Sequence, residues 1–208
     1  MAEGAKSRRL FAGIELDERT RSECAEAAER LRKTGFEARF EGADKLHVTL
    51  AFLGNVEASR FDEIATALST AAARVPEFAL CFDKLGAFPH ERKPRVVYVG
   101  AREQGAAYRA LAAAIRQAYA ELGFAFESDA VAHVTIARVK EPKRPLPLVE
   151  FSPIELDVRG VALFESIFEK QRNTTRYEIV ADAALQSTRT LRHARFALLR
   201  VTRGASAD

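Results

Sequence analysis

The residues of this chain that could do chemistry fall into one pattern that occurs twice: His47-Val48-Thr49 and His133-Val134-Thr135. Each copy lies in a run that alternates like a strand. Successive strand side chains point to opposite faces, so each His shares a face with its own Thr and opposes Leu46/Val48 or Ala132/Val134. Two imidazoles with ordinary pKa values of about 6.5 can hold opposite protonation states near neutrality, one giving a proton while the other takes one. Two hydroxyls beside them can hold the oxygens of an anion. This is equipment for phosphoester chemistry without a metal. A single His-Val-Thr would read as an ordinary strand residue bonded in the core; repetition at equivalent places argues for function. A zinc site finds little support, because neither neighbourhood offers HExxH or paired-Cys spacing and the nearest acids, Asp44 and Asp129, are poorly placed as partners.

Such a site needs elements that bring the two strands together. Residues 8–16 read as a strand, and Asp17 caps a helix to about Thr34 with Cys24, Ala27, Ala28 and Leu31 on its apolar face, stopped by Gly35. The first motif strand runs over 45–53 and is closed by Gly54-Asn55. A second helix spans about 57–74, and a strand follows over 78–85. From Arg95 the order begins again: a strand at 96–99, a helix over 103–122 with Tyr108, Leu111, Ile115, Ala118 and Leu122 inward, and Gly123-Phe124 where the first half has Gly35-Phe36. The second motif strand runs over 131–139, residues 154–164 alternate as 78–88 do, and 177–181 supply a last strand. The halves, about 8–94 and 95–186, read as an internal duplication. The expectation is an α+β domain of two pseudo-symmetric lobes, with two antiparallel sheets flanking a central groove and helices outside. The halves differ after the motif, where 140–149, with Pro142, Pro145 and Pro147, replaces a helix and reads as a mobile loop beside the site.

The 208 residues, 48% of them hydrophobic, suffice for one buried core. Cys24 and Cys81 suggest neither a disulfide framework nor a thiol-metal site, and no stretch has the apolar length of a signal peptide or membrane span; the expected setting is cytoplasmic. The net charge of +3 says little about partners, but basic residues cluster at Arg92, Lys93 and Arg95, at Lys140, Lys143 and Arg144, and along a basic extension over 187–208. His90 and His193 lack a Thr two residues on and read as surface residues. Phe11 reads as core.

The blocks Arg9-Leu10-Phe11, Leu46-His47-Val48-Thr49-Leu50-Ala51-Phe52-Leu53-Gly54, Leu85-Gly86-Ala87-Phe88-Pro89 and His133-Val134-Thr135-Ile136-Ala137-Arg138 occur in the order found in a known family. Over roughly residues 8–186 the chain resembles the LigT-like RNA 2',3'-cyclic phosphodiesterases of the two-histidine phosphoesterase superfamily. The chain lacks the Trp and Pro common near the motifs, with Phe40 and Ala132 at those places.

The resemblance implies hydrolysis of a terminal RNA 2',3'-cyclic phosphate to a 2'-phosphate, without cofactor or metal, and a weak reversible 2'-5' RNA ligation. By motif position, His47 protonates the departing 3'-oxygen, His133 deprotonates the attacking water, and Thr49 and Thr135 bind phosphate oxygens. Arg138 matches the family's basic residue, although strict alternation turns it away from His133, so its role requires a bulge. The expected partner is RNA with a 2',3'-cyclic phosphate terminus, tRNA fragments included, with no membrane. The duplicated chain contains its own pseudo-dimer and is expected to act as a monomer. Two other readings stay open: a phosphodiesterase of a small cyclic nucleotide such as an ADP-ribose cyclic phosphate, and an RNA-end binding module without turnover.

Overall fold

The computed structural model describes residues 7–171 and 173–187; the basic extension, from residue 188 on, lies outside the described residues. Strand β1 (Ser7–Glu15) leads into helix α1 (Glu18–Lys33), whose first turn is capped by Asp17, its carboxylate accepting the Thr20 N–H at 2.7 Å. Cys24, Ala27, Ala28 and Leu31 are buried along one stripe of α1, as the spacing requires. The first half continues with β2 (Arg39–Phe40), β3 (His47–Glu57), α2 (Phe61–Ala72), β4 (Phe78–Phe82) and β5 (Lys84–Phe88). The second half comprises β6 (Val96–Gly100), α3 (Ala106–Glu121), β7 (His133–Arg138), β8 (Ile154–Val158) and β9 (Gly160–Glu169), and β10 (Thr174–Ala184) is added at its end.

The fold is the α+β, pseudo-twofold arrangement expected, with two antiparallel sheets. One has eight strands in the order β10-β9-β1-β3-β7-β6-β5 with β2 on β7, and the other is the β4-β8 ribbon. The order shows the duplication: β9-β1-β3 in one lobe answers β5-β6-β7 in the other. Both pairs on the pseudo-axis, β3 with β7 and β4 with β8, take one strand from each half. The apolar face of β3 and β7 joins residues of all three helices and of the β4-β8 ribbon in one core. The opposite face is left for a cleft.

Three local differences from the sequence expectation have physical causes. The runs 78–88 and 154–164 each divide into two strands belonging to different sheets. The switch takes a single residue, Asp83 or Arg159, and leaves the alternation intact. Gly54 does not end the first motif strand: its φ of +72° makes a bulge, Leu10 pairing with Gly54 and Phe11 with Phe52, and β3 runs on to Glu57. The loop over 140–149 is fastened away from the cleft, with Lys143 Nζ 2.8 Å from Glu37 Oε2 and the Arg144 guanidinium donating to the Thr34 carbonyl at 3.1 Å. Among the described residues no helix is long and apolar enough to cross a membrane.

Candidate active site

The two motif strands meet at one residue pair. Val48 of β3 lies opposite Val134 of β7, and both are fully buried in the core. Because the pair is antiparallel, continuing its register sets His47 beside Thr135 and Thr49 beside His133, all four side chains on the face opposite the valines. One apolar contact on the pseudo-axis thus assembles a two-fold set of imidazoles and hydroxyls.

Each strand then carries the same irregularity. In β3 the register jumps from Gly13↔Thr49 to Ala12↔Ala51; in β7 it jumps from Tyr98↔Thr135 to Val97↔Ala137. Leu50 and Ile136 are left over, and two consecutive residues, Leu50 with Ala51 and Ile136 with Ala137, are buried in each strand. Such a bulge reverses the phase of the side chains beyond it. The residue five places after each His is therefore returned to the cleft: Phe52 in one lobe and Arg138 in the other. This resolves the difficulty that strict alternation posed for Arg138.

Both imidazoles are held in the same way. His47 Nδ1–H donates to the Lys45 carbonyl at 2.7 Å, and His133 Nδ1–H donates to the Val131 carbonyl at 2.8 Å. With Nδ1 occupied, Nε2 is the reactive nitrogen of both rings. The copies differ there. His47 Nε2 is 3.0 Å from Thr49 Oγ1, whereas His133 Nε2 has no hydrogen-bond partner among the described residues. Aromatic rings pack around the histidines. Phe11, Phe164 and Tyr177 surround His47 at centroid distances of 4.8, 5.6 and 5.2 Å, and Phe88 and Tyr98 meet His133 edge-on at 5.1 and 5.4 Å. Phe11 is core, as expected, but it is core beneath a functional ring. Burial pushes both histidines below the ordinary imidazole pKa; the charge of Arg138 lowers both further, and the carbonyl acceptors oppose the shift.

These side chains line a cleft of about 780 Å³ whose described lining includes Arg9, Arg39, Lys45 and Arg138, and a single carboxylate, Glu41. Glu41 is only 13% exposed, and its Oε1 lies 2.9 Å from Arg138 Nε and 3.5 Å from Arg39 Nη2. Its N–H donates to the carbonyl of Ile136, the bulged residue, at 2.9 Å. Glu41 thus holds one edge of the Arg138 guanidinium and leaves the other to the cleft. Sequence reasoning did not find Glu41, Tyr177 or Phe52. Glu41 follows directly on β2, which pairs with β7 across a long sequence separation, Tyr177 arrives on β10 by way of β9, which pairs with β1 across another, and only the bulge brings in Phe52. A larger cleft, about 1030 Å³, lies beside the start of α1 and contains neither histidine, so size does not mark the site. No group of three or more His, Cys, Asp or Glu side chains that could hold a metal ion occurs among the described residues.

Paired His-x-Thr strands joined on a pseudo-twofold axis and facing one cationic cleft define a two-histidine phosphoesterase. Comparison with known proteins narrows the class: the LigT like phosphoesterase family matches residues 14–98 and again 99–174, once for each half, and the chain belongs to that family. It is 32% identical to the RNA 2',3'-cyclic phosphodiesterase of Thermotoga maritima over 76% of this chain and 86% of that protein. Among solved structures it is similar to E. coli LigT in the apo form, with 27% identity, a TM-score of 0.68 and coverage of 87% of this chain and 99% of that one. It is also similar to E. coli LigT complexed with 3'-AMP, with 28% identity, a TM-score of 0.66 and coverage of 86% and 99%. This phosphoesterase is therefore a hydrolytic enzyme of the cyclic phosphodiesterase type.

Proposed function

We propose that the enzyme opens RNA 2',3'-cyclic phosphate ends to 2'-phosphates, with His47 as proton donor and His133 as proton acceptor. The observation that carries this reading is the convergence of both Nε2 atoms and both Thr hydroxyls on one cationic cleft through the Val48–Val134 pair. Water attacks phosphorus and gives its proton to His133 Nε2, which carries a lone pair when Nδ1–H is bonded to the Val131 carbonyl. The bond from phosphorus to the 3'-oxygen breaks, and that oxygen takes the proton from His47 Nε2. Thr49, Thr135 and the free edge of Arg138 hold the non-bridging oxygens as charge moves in the transition state. The rings end with exchanged protonation states, which solvent resets.

The open Nε2 of His133 suits the acceptor role. The contact of His47 with Thr49 Oγ1 suits the donor, since protonated Nε2 can be held there until the leaving oxygen arrives. A 5'-hydroxyl of RNA in place of water would be deprotonated at the same nitrogen and give a 2'-5' linkage, so ligation requires no further group. The relative named as an RNA 2',3'-cyclic phosphodiesterase supports RNA as the substrate. His47→Ala and His133→Ala should each lower the rate of cyclic phosphate hydrolysis by about 10²-fold or more, the range expected for loss of a general acid or base. Turnover close to that of the wild type in either variant would remove that histidine from its role.

A further inference from the structure

The cleft leaves two phenyl rings in water, Phe52 at 70% exposure and Phe168 at 58%. The core does not require them, since Phe11, Phe164 and Tyr177 already close the apolar floor beneath His47. The Phe52 ring lies 5.9 Å from Phe11, which in turn touches His47, so Phe52 stands one ring away from the reaction centre. Phe168 is carried by the β9-β10 hairpin, opposite Thr175. The preceding residue, Thr174, accepts a hydrogen bond from Lys45 Nζ at 2.7 Å, which ties this hairpin to the segment whose carbonyl holds His47. Strand β1 lies between the strands bearing Phe52 and Phe168. From it Arg9, two residues before Phe11 on the same face, reaches the cleft with no hydrogen bond or ion pair among the described residues.

We propose that Phe168 is a second stacking platform, for the base that precedes the terminal one in a single-stranded RNA end whose terminal base lies against Phe52, with Arg9 on the phosphate that joins the two. Exposed aromatic rings alternating with cations are what a single strand selects, because every base offers a π-face and every linkage a charge. The described cations of the cleft outnumber its one carboxylate, and that carboxylate is occupied by two arginines. A mononucleotide fills only the platform nearer the histidines. This inference rests on the proposed cyclic phosphodiesterase reading and extends it from the reacting phosphate to the nucleotide before it.

The test compares adenosine 2',3'-cyclic phosphate with a dinucleotide bearing the same end, in wild type, Phe168→Ala, Phe52→Ala and Arg9→Gln. Phe168→Ala should lower kcat/KM for the dinucleotide about 10-fold more than for the mononucleotide. Phe52→Ala should lower both by similar factors, and Arg9→Gln should weaken the salt dependence for the dinucleotide alone. Equal effects of Phe168→Ala on the two substrates would overturn the assignment, as would any gain in dinucleotide affinity. In parallel, an unreactive dinucleotide 3'-phosphate is titrated into wild type and Phe168→Ala. A loss of affinity of about 5-fold or more supports the second platform even if hydrolysis of either substrate fails, and equal affinities overturn it. Failure of hydrolysis with binding retained would count against the catalytic reading alone. If sedimentation shows wild type dimeric and Phe168→Ala monomeric, Phe168 serves self-association and the proposal falls.

Discussion

His47 and His133 are poised by the same contact, a backbone carbonyl two residues upstream, and both are half-buried, with the loss of solvent disfavouring their charged forms. Acid-base catalysis by the pair needs one ring protonated and one neutral. With both pKa values below 6.5 in the free enzyme, the population with one proton is greatest on the acid side of that value and declines as pH rises. The bell of kcat/KM against pH should therefore be centred below about 6.5. Because the Arg138 charge lowers both rings, Arg138→Gln should move both limbs to higher pH while reducing the rate. A profile centred above pH 7, or a downward shift in the variant, would contradict this account. At this scale the histidines and threonines were legible because one strand's alternation suffices to group them. Arg138 was legible only by family likeness, and Glu41 not at all, since the β2-β7 pairing that brings it to Arg138 leaves no local mark in the sequence.

The elements carry the positional information through two devices, the single Val48–Val134 pair and the bulge that follows it in each strand. Both depend on close backbone packing around β3. Gly13 of β1 pairs with Thr49, and a Cβ placed on it would lie 2.6 Å from the Val48 carbonyl oxygen, a backbone atom that cannot swing aside. Gly13→Ala should destabilise the protein by about 1–3 kcal/mol, as overpacking does, measured by urea unfolding, and should displace the His47-Thr49 segment so that turnover falls with it. Unchanged stability would mean that β1 and β3 are not pressed together at this point. Helices and strands were largely legible from periodicity. Their interruptions were not, because a one-residue switch at Asp83 or Arg159 preserves the alternation on either side, and a bulge is recorded only in the partner strand.

Across the whole molecule, duplication supplies symmetry and each half then departs from it. The first motif strand is followed by α2 and returns Phe52 to the cleft; the second is followed by a loop and returns Arg138. Strand β10 has no counterpart in the first half, and its Tyr177 packs on Phe11 and, of the two histidines, on His47. The repeat could be seen in the sequence because equivalent blocks recur in order. The exchange of strands across the axis could not, since β9 and β10 of the second half extend the sheet of the first. In the proposed reaction these departures are what let two nearly identical motifs serve as donor and acceptor, and that division of roles decides which ester bond breaks. The direct test is to incubate the protein with an RNA oligonucleotide ending in a 2',3'-cyclic phosphate, in excess EDTA, and to identify the product by phosphorus NMR. A 2'-phosphate should form at an undiminished rate; a 3'-phosphate would reverse the roles of His47 and His133, and loss of activity with EDTA would overturn the metal-free reaction.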